Sequence, residues 1–193
     1  MNNGASTAGA TGAKAQNASW PDGYGRQVFD SVDSTLSEAA RQASELTGST
    51  WILAQEQTAA RGRRGRSWAT PRGNFAATLM MRRSESPSTA ALRSFVASLA
   101  LRRAFVATTR DEGAFTLKWP NDVLLNGGKV AGILLESIGD FLASGIGVNL
   151  AHAPGADQVE AGALRPVSVV AETGKVVPPE VFLDALAAEY AQL

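Results

Sequence analysis

Four short apolar segments, Phe115 to Trp119, Val123 to Leu125, Lys129 to Ser137 and Phe141 to Leu150, follow one another with only tight turns between them. Gly127-Gly128 and Gly139-Asp140 read as two of those turns. Strands joined so closely must lie beside their sequence neighbours in antiparallel order. This half of the chain therefore builds a sheet of sequential hairpins.

The other half supplies helices to cover it. A strand from about Tyr24 through Val28 and Phe29 precedes a helix from Ser34 or Thr35 to about Thr47. Leu36, Ala39, Ala40, Ala43 and Leu46 recur on one face of that helix, and Gly48 is a natural stop. Trp51 to Gln55 and Phe75 to Met81 read as buried strands. Thr89 to Ala107 has Leu92, Phe95, Val96, Leu99, Phe105 and Val106 at helical spacing, and a last helix runs from Pro179 to Tyr190. The expected fold is α+β, with a mixed, largely antiparallel central sheet flanked by helices. Residues 1 to 19 are small and polar and read as a flexible tail, which leaves 20 to 193 as one domain.

Composition narrows the chemistry. Of 193 residues, 45% are hydrophobic and 19% charged, with no net charge, so the whole molecule has no electrostatic pull toward nucleic acid or an anionic membrane. The chain has no cysteine and one histidine, His152, which excludes thiolate nucleophiles and a multi-histidine metal site, and no resident metal is expected. No apolar run reaches the roughly 18 residues of a membrane span, and the first 19 lack a secretory core. The expected setting is cytoplasmic.

Positive charge is nonetheless concentrated. Arg61, Arg63, Arg64, Arg66 and Arg72, five of 14 arginines, lie within one stretch from Gln57 to Asn74 that shows no period. Arginine offers planar, permanently charged donors for carboxylate or phosphate, and Gly62 and Gly65 let the backbone wrap a ligand. A solvated basic loop and an RNA-contacting patch are the alternatives. The order of a P-loop is absent. A second constellation is Lys118-Trp119-Pro120-Asn121-Asp122 followed by Lys129-Val130-Ala131-Gly132, with two of only four lysines in or beside apolar strands. Such cations need anions: a substrate phosphate or carboxylate, or a structural pairing of Lys118 with Asp122 or Glu136. Asp33-Ser34-Thr35 alone is a helix N-cap. Gly145-Ile146-Gly147-Val148-Asn149 is a glycine-spaced strand.

In order and spacing these four blocks, D-S-T, Q-T-A-A-R-G-R-R-G-R-S-W, K-W-P-N-D with K-V-A-G-I-L-L-E, and G-I-G-V-N-L, resemble the catalytic domain of biotin–protein ligases from about Val28 to Leu150. The resemblance implies a fold related to class II aminoacyl-tRNA synthetases. It also implies a reaction of biotin with Mg2+-bound ATP, giving biotinyl-AMP, then transfer to a lysine of a biotin carboxyl carrier domain of a carboxylase such as acetyl-CoA carboxylase. By motif position, Ser34, Thr35, Gln57, Arg61, Gly62, Arg63, Lys129 and Gly132 would bind biotin. Arg61, Arg63, Arg66, Trp68, Lys118, Asn121, Lys129 and Asn149 would bind ATP. Arg63, Lys118, Asp122 and Lys129 would act in catalysis.

The chain carries Leu36 and Ala60 where the family usually has Asn and Gly. Family members commonly add a C-terminal SH3-like barrel, and bifunctional ones an N-terminal helix-turn-helix. Neither is expected here, so neither DNA nor membrane is an expected partner, while a homodimer stays open. Two alternative functions share the resemblance: a lipoate-type acyl-adenylate ligase and a non-catalytic binder of biotin or its adenylate.

Overall fold

A computed structural model describes residues 20–68, 70–160 and 162–193. The tail expected over residues 1 to 19 lies outside them. Seven strands, β1 (Gly25–Phe29), β2 (Thr50–Ala54), β3 (Phe75–Arg82), β4 (Phe115–Lys118), β5 (Asp122–Leu125), β6 (Gly128–Ile138) and β7 (Phe141–Val148), form one sheet in the order β1-β2-β3-β7-β6-β5-β4. Only β1 and β2 are parallel, because α1 (Thr35–Gln42) carries the chain between them. Every other neighbouring pair is antiparallel. The α+β architecture read from the hairpins is the one observed.

Both faces of the sheet are covered here, which is why β2 and most of β3 are buried without interruption. On one face α3 (Arg93–Thr109) and α5 (Pro179–Ala191) enclose the main core, where Phe182 meets Phe75 at 5.1 Å and Phe105 stacks on Phe115 at 4.6 Å. On the other, α1 covers a smaller cluster of Leu36, Ala39, Ile52, Met80, Phe141 and Ala143. The rest of that second face stays open. Among the described residues no helix is long and apolar enough to cross a membrane.

Local expectations fail where packing overrides periodicity. The helix expected over Thr89 to Ala107 is split into α2 (Pro87–Ala90) and α3, and Leu92 and Phe95 are 55% and 44% exposed. The buried stripe instead runs through Ala97, Ala100, Leu101, Ala104 and Phe105. Alanines let α3 approach the sheet more closely than larger residues would, and dense contact outweighs the larger apolar area of the alternative face. α1 stops at Gln42 rather than Thr47, and Leu46 packs on the small core from a turn. Ser44 and Thr47, which bond readily to nearby backbone, weaken helix continuation there. A further helix, α4 (Val169–Thr173), has Ser168 as N-cap and Gly174 in the left-handed region, a signal legible in the sequence but not read from it.

The first hairpin turn is one residue earlier than expected. Asn126 and Gly127 occupy it, both at positive φ (49° and 78°), while Gly128 already lies in β6 with Val167 against its Cα. Asparagine tolerates the left-handed region well enough to serve as the first turn residue. Farther along, β6 holds an extra residue opposite β5: Val123 faces Ala131 but Leu124 faces Lys129. Val130 is thus a bulge, and it reverses the alternation of side chains on either side of it. Val130 and Ala131 both enter the main core, while Lys129 and Gly132 both face the open side.

Candidate active site

The open face beyond α1 is a cleft of about 870 Å3, within the usual range for small-molecule sites. Its floor is β6 and β7, where Gly132 pairs with Gly147, and Gly145 follows on the same face. A Cβ on Gly145 would lie 2.8 Å from Leu36 Cγ, and one on Gly147 would overlap the Trp68 indole. The absence of side chains at these positions lets Leu36 and the Trp68 indole lie directly against the strand backbone.

One end of the cleft is neutral and hydrogen-bonding. Gln57 Oε1 accepts from the Thr35 backbone N–H at 2.7 Å and from the Thr35 hydroxyl at 3.1 Å. Gln57 Nε2 donates to Thr70 Oγ1 at 3.0 Å, and the buried Thr78 hydroxyl donates to Thr35 Oγ1 at 2.9 Å. Ser34 occupies the N-cap position, yet its hydroxyl makes no hydrogen bond among the described residues. Capping falls instead to Asp33, which accepts from the Ser34 N–H at 2.7 Å and pairs with Arg41 at 2.7 Å. Hydrogen bonding from Arg41, then from that N–H, holds the Asp33 carboxyl down at about 2. The Asp-Ser-Thr block therefore separates its roles: Asp33 caps α1, and Ser34 and Thr35 turn toward the cleft.

The other end is cationic. Lys129 Nζ stands 2.8 Å from Asp122 Oδ1 and 5.6 Å from the centre of the Trp68 ring. The contact with Asp122 lacks hydrogen-bond alignment, and Oδ1 accepts no directed bond among the described residues. The structural ion pair considered for Lys118 therefore belongs to Lys129. Lys118 lies exposed at the end of edge strand β4, not in an apolar setting, and makes no ion pair among the described residues. Glu136 pairs with Arg61 at 2.9 Å.

The stretch from Gln57 to Asn74, expected as an irregular loop, is folded back on itself. Bridges join Gln57 to Thr70 and Arg61 to Ser67, and a short 3-10 turn spans Arg63–Gly65. Arg61 also donates to Ser37 at 3.2 Å, Arg63 to Asn121 Oδ1 at 3.1 Å, and Arg66 pairs with Glu160 at 2.7 Å. Three arginines thus tie the turn to three different parts of the rim. Arg72 is not one of them, since it pairs with Asp30 and Glu56. Ala60 needs no glycine, because its backbone lies outside the left-handed region.

Ser34, Thr35, Gln57, Arg61, Gly62, Arg63, Arg66, Trp68, Lys118, Asn121, Asp122, Lys129, Gly132 and Asn149 all line this one cleft. His152 does not line it; it is exposed in the loop after β7. Two contributors carry no signal in the sequence. Leu164, Pro166 and the segment from Pro154 to Glu160 form the far wall. Asn74 positions that wall: its Oδ1 accepts from the N–H groups of Ala151 and His152 at 3.0 and 2.8 Å, and its Nδ2 donates to the His152 carbonyl at 2.8 Å. No sequence pattern marks an asparagine that bonds to backbone so far away in the chain. Asn74→Ala is expected to cost about 2 kcal/mol by orphaning those groups, a loss that the urea midpoint of unfolding would register.

The chain is similar in sequence and in fold to known proteins. A family model described as the biotin/lipoate A/B protein ligase family matches residues 28–151. The chain is 56% identical to the biotin–[acetyl-CoA-carboxylase] ligase of Paracoccus denitrificans over 83% of its own length and 69% of that relative's. It is also similar to the biotin protein ligase of Leishmania major in complex with biotinyl-5-AMP, with a TM-score of 0.75, 29% identity, and 86% and 73% of the two chains covered. The biotin protein ligase of Aquifex aeolicus in complex with biotin and ATP aligns with a TM-score of 0.74 and 28% identity, over 87% and 69%.

Proposed function

The chain belongs to the biotin/lipoate A/B protein ligase family, and from that premise we propose that it activates biotin with ATP and transfers it to a lysine of the biotin carboxyl carrier domain of acetyl-CoA carboxylase. The observation that carries this reading is a single cleft that joins a hydrogen-bonding end to a cationic end across a glycine floor. Biotin has matching parts in the same order: a polar ureido ring, an apolar chain and a carboxylate.

In this reading Thr35, Gln57 and the free hydroxyl of Ser34 meet the ureido ring, and its bicycle packs between Leu36, which covers Gly145, and the Trp68 indole, which covers Gly147. The chain then brings the carboxylate to Lys129. A carboxylate oxygen attacks the α-phosphorus of ATP, which enters with its Mg2+, and the bond to pyrophosphate breaks. Charge grows on the phosphoryl oxygens, where Lys129, Lys118 and the loop arginines stabilise it without reorganising solvent. Asp122 holds Lys129 in place from the other side, and Asn121 and Asn149 border the nucleotide. In the second step the carrier lysine attacks the acyl carbon, the bond to AMP breaks, and the amine's proton leaves to solvent. We place the reaction in the cytoplasm, where ATP and the carboxylase meet.

The test is pyrophosphate release that needs both biotin and Mg-ATP, followed by biotin label on a carrier-domain lysine. Release with lipoate but not biotin would assign a different acid. A rise in melting temperature with biotin and no release would make the protein a binder.

Arg63 bridges the loop to Asn121 across the cleft mouth. A charge-assisted contact of this kind is worth roughly tenfold in retention of the enclosed adenylate. Arg63→Gly is expected to shorten the lifetime of bound biotinyl-AMP by that factor and to release it onto lysines of bystander proteins. An unchanged lifetime in a chase experiment would remove Arg63 from this role.

A further inference from the structure

The inner end of the cleft is closed by a residue that belongs to two environments. Leu36 is 4% exposed and packs with Ala39, Ile52, Met80, Phe141 and Ala143 in the small core under α1. It also lines the cleft, seated on the bare backbone of Gly145, where a Cβ would come within 2.8 Å of both its Cγ and Cδ1. A buried leucine usually interlocks with side chains on the strand beneath it. Here the strand presents glycine, so the leucine methyl groups stand where the cleft would otherwise continue into the core.

We infer that Leu36 is a specificity-determining residue, the end wall that limits the size of the acid's ring. The inference rests on reading the cleft as the acid-activating site. Beside Leu36, Thr35 and Gln57 supply the polar contacts of this end, so the two adjacent residues of α1 divide the work: Thr35 recognises the ring edge and Leu36 bounds its bulk. The space behind Leu36 is bordered by Ala143, Met80 and Ile52, which offer no side-chain hydrogen-bond partner. An opened wall therefore admits an added alkyl group and not an added hydroxyl.

The experiment presents biotin and an analogue carrying a propyl group on the ring, remote from the carboxylate chain, as competitors in one reaction. It reads the ratio of their kcat/KM values from adenylate formed. Because both acids meet the same molecules, any loss of folded protein cancels from the ratio. Leu36→Ala is expected to shift the ratio toward the propyl analogue by at least about tenfold, the discrimination that a few methylene groups provide in an apolar pocket. Leu36→Val, milder in the core, should shift it the same way by less. Gly145→Ala should weaken biotin use in the otherwise unchanged protein, and Leu36→Ala in the same chain should relieve that loss. A ratio unchanged in both Leu36 variants overturns the inference and leaves Leu36 a core residue alone. An unaltered protein that forms no adenylate from biotin overturns the ligase reading and this inference with it.

Discussion

Replacing Lys129 with alanine is expected to slow biotin-dependent pyrophosphate release by on the order of a hundredfold, the usual cost of losing one preorganised charge from a transition state. Lys129 is oriented by a bulge, a half-buried carboxylate and the face of Trp68, so its ammonium needs no rearrangement when phosphoryl charge develops. The sequence alone suggests a lysine without a fixed anion, whose removal would leave stability untouched. The partnership with Asp122 changes that expectation. Asp122 is only 18% exposed at its side chain, and Lys129→Ala strands it, so a stability loss of about 1–2 kcal/mol should accompany the kinetic one.

Lys129→Ala combined with Asp122→Asn separates the two effects. Removing the stranded charge should restore most of the melting temperature, while pyrophosphate release stays slow. Lys129→Arg should recover activity only in part, because the planar guanidinium places its donors elsewhere. Full activity in the folded fraction of Lys129→Ala would show that the residue serves structure alone.

A single methyl group on the cleft floor should be almost as damaging. In Gly147→Ala the new Cβ occupies the position of the Trp68 indole, whose own backbone N–H is fixed to the Ala60 carbonyl at 3.0 Å. Trp68 cannot withdraw without lifting the arginine turn, and displacement of reacting groups by about 1 Å is enough to cost on the order of a hundredfold in rate. The methyl meets Trp68 at the cleft rather than the main core, so the melting temperature without ligand should fall by less than a substitution in that core would cause. Titration calorimetry with biotin, set beside the steady-state rate, checks both halves of the expectation. Normal binding and turnover would mean that Trp68 does not position the reacting ligands.

Much of the fold and of the cleft is legible in the amino-acid sequence. The short turns after Leu125 and Ile138 require antiparallel neighbours, whatever the rest of the chain does. The motif blocks that carry the family resemblance all border one cleft, because they lie on β5, β6 and β7 or in the loops beside the same face of the sheet. Helix boundaries are less legible. Leu92 and Phe95 satisfy helical spacing as well as Ala97 and Leu101 do, and periodicity cannot tell which stripe will find a partner.

What the sequence determined by itself is therefore local and repetitive: hairpin order, covered strands, and the clustering of cations near glycine. What only the tertiary structure decided is where those cations point and what they touch. Strict alternation along β6 would put Lys129 with Ala131, in the main core. The bulge at Val130 turns it out, and its cause is remote in sequence. Lys129 exchanges backbone hydrogen bonds with Arg165 and Val167, while Val130 accepts from Asn149. Likewise, Thr35 meets Gln57 and Thr78 only because parallel and antiparallel pairings bring α1, the arginine turn and β3 to one end of the sheet. Side-chain direction in a strand has a period of two residues, so one inserted residue, placed by contacts formed far along the chain, decides which face a charge occupies.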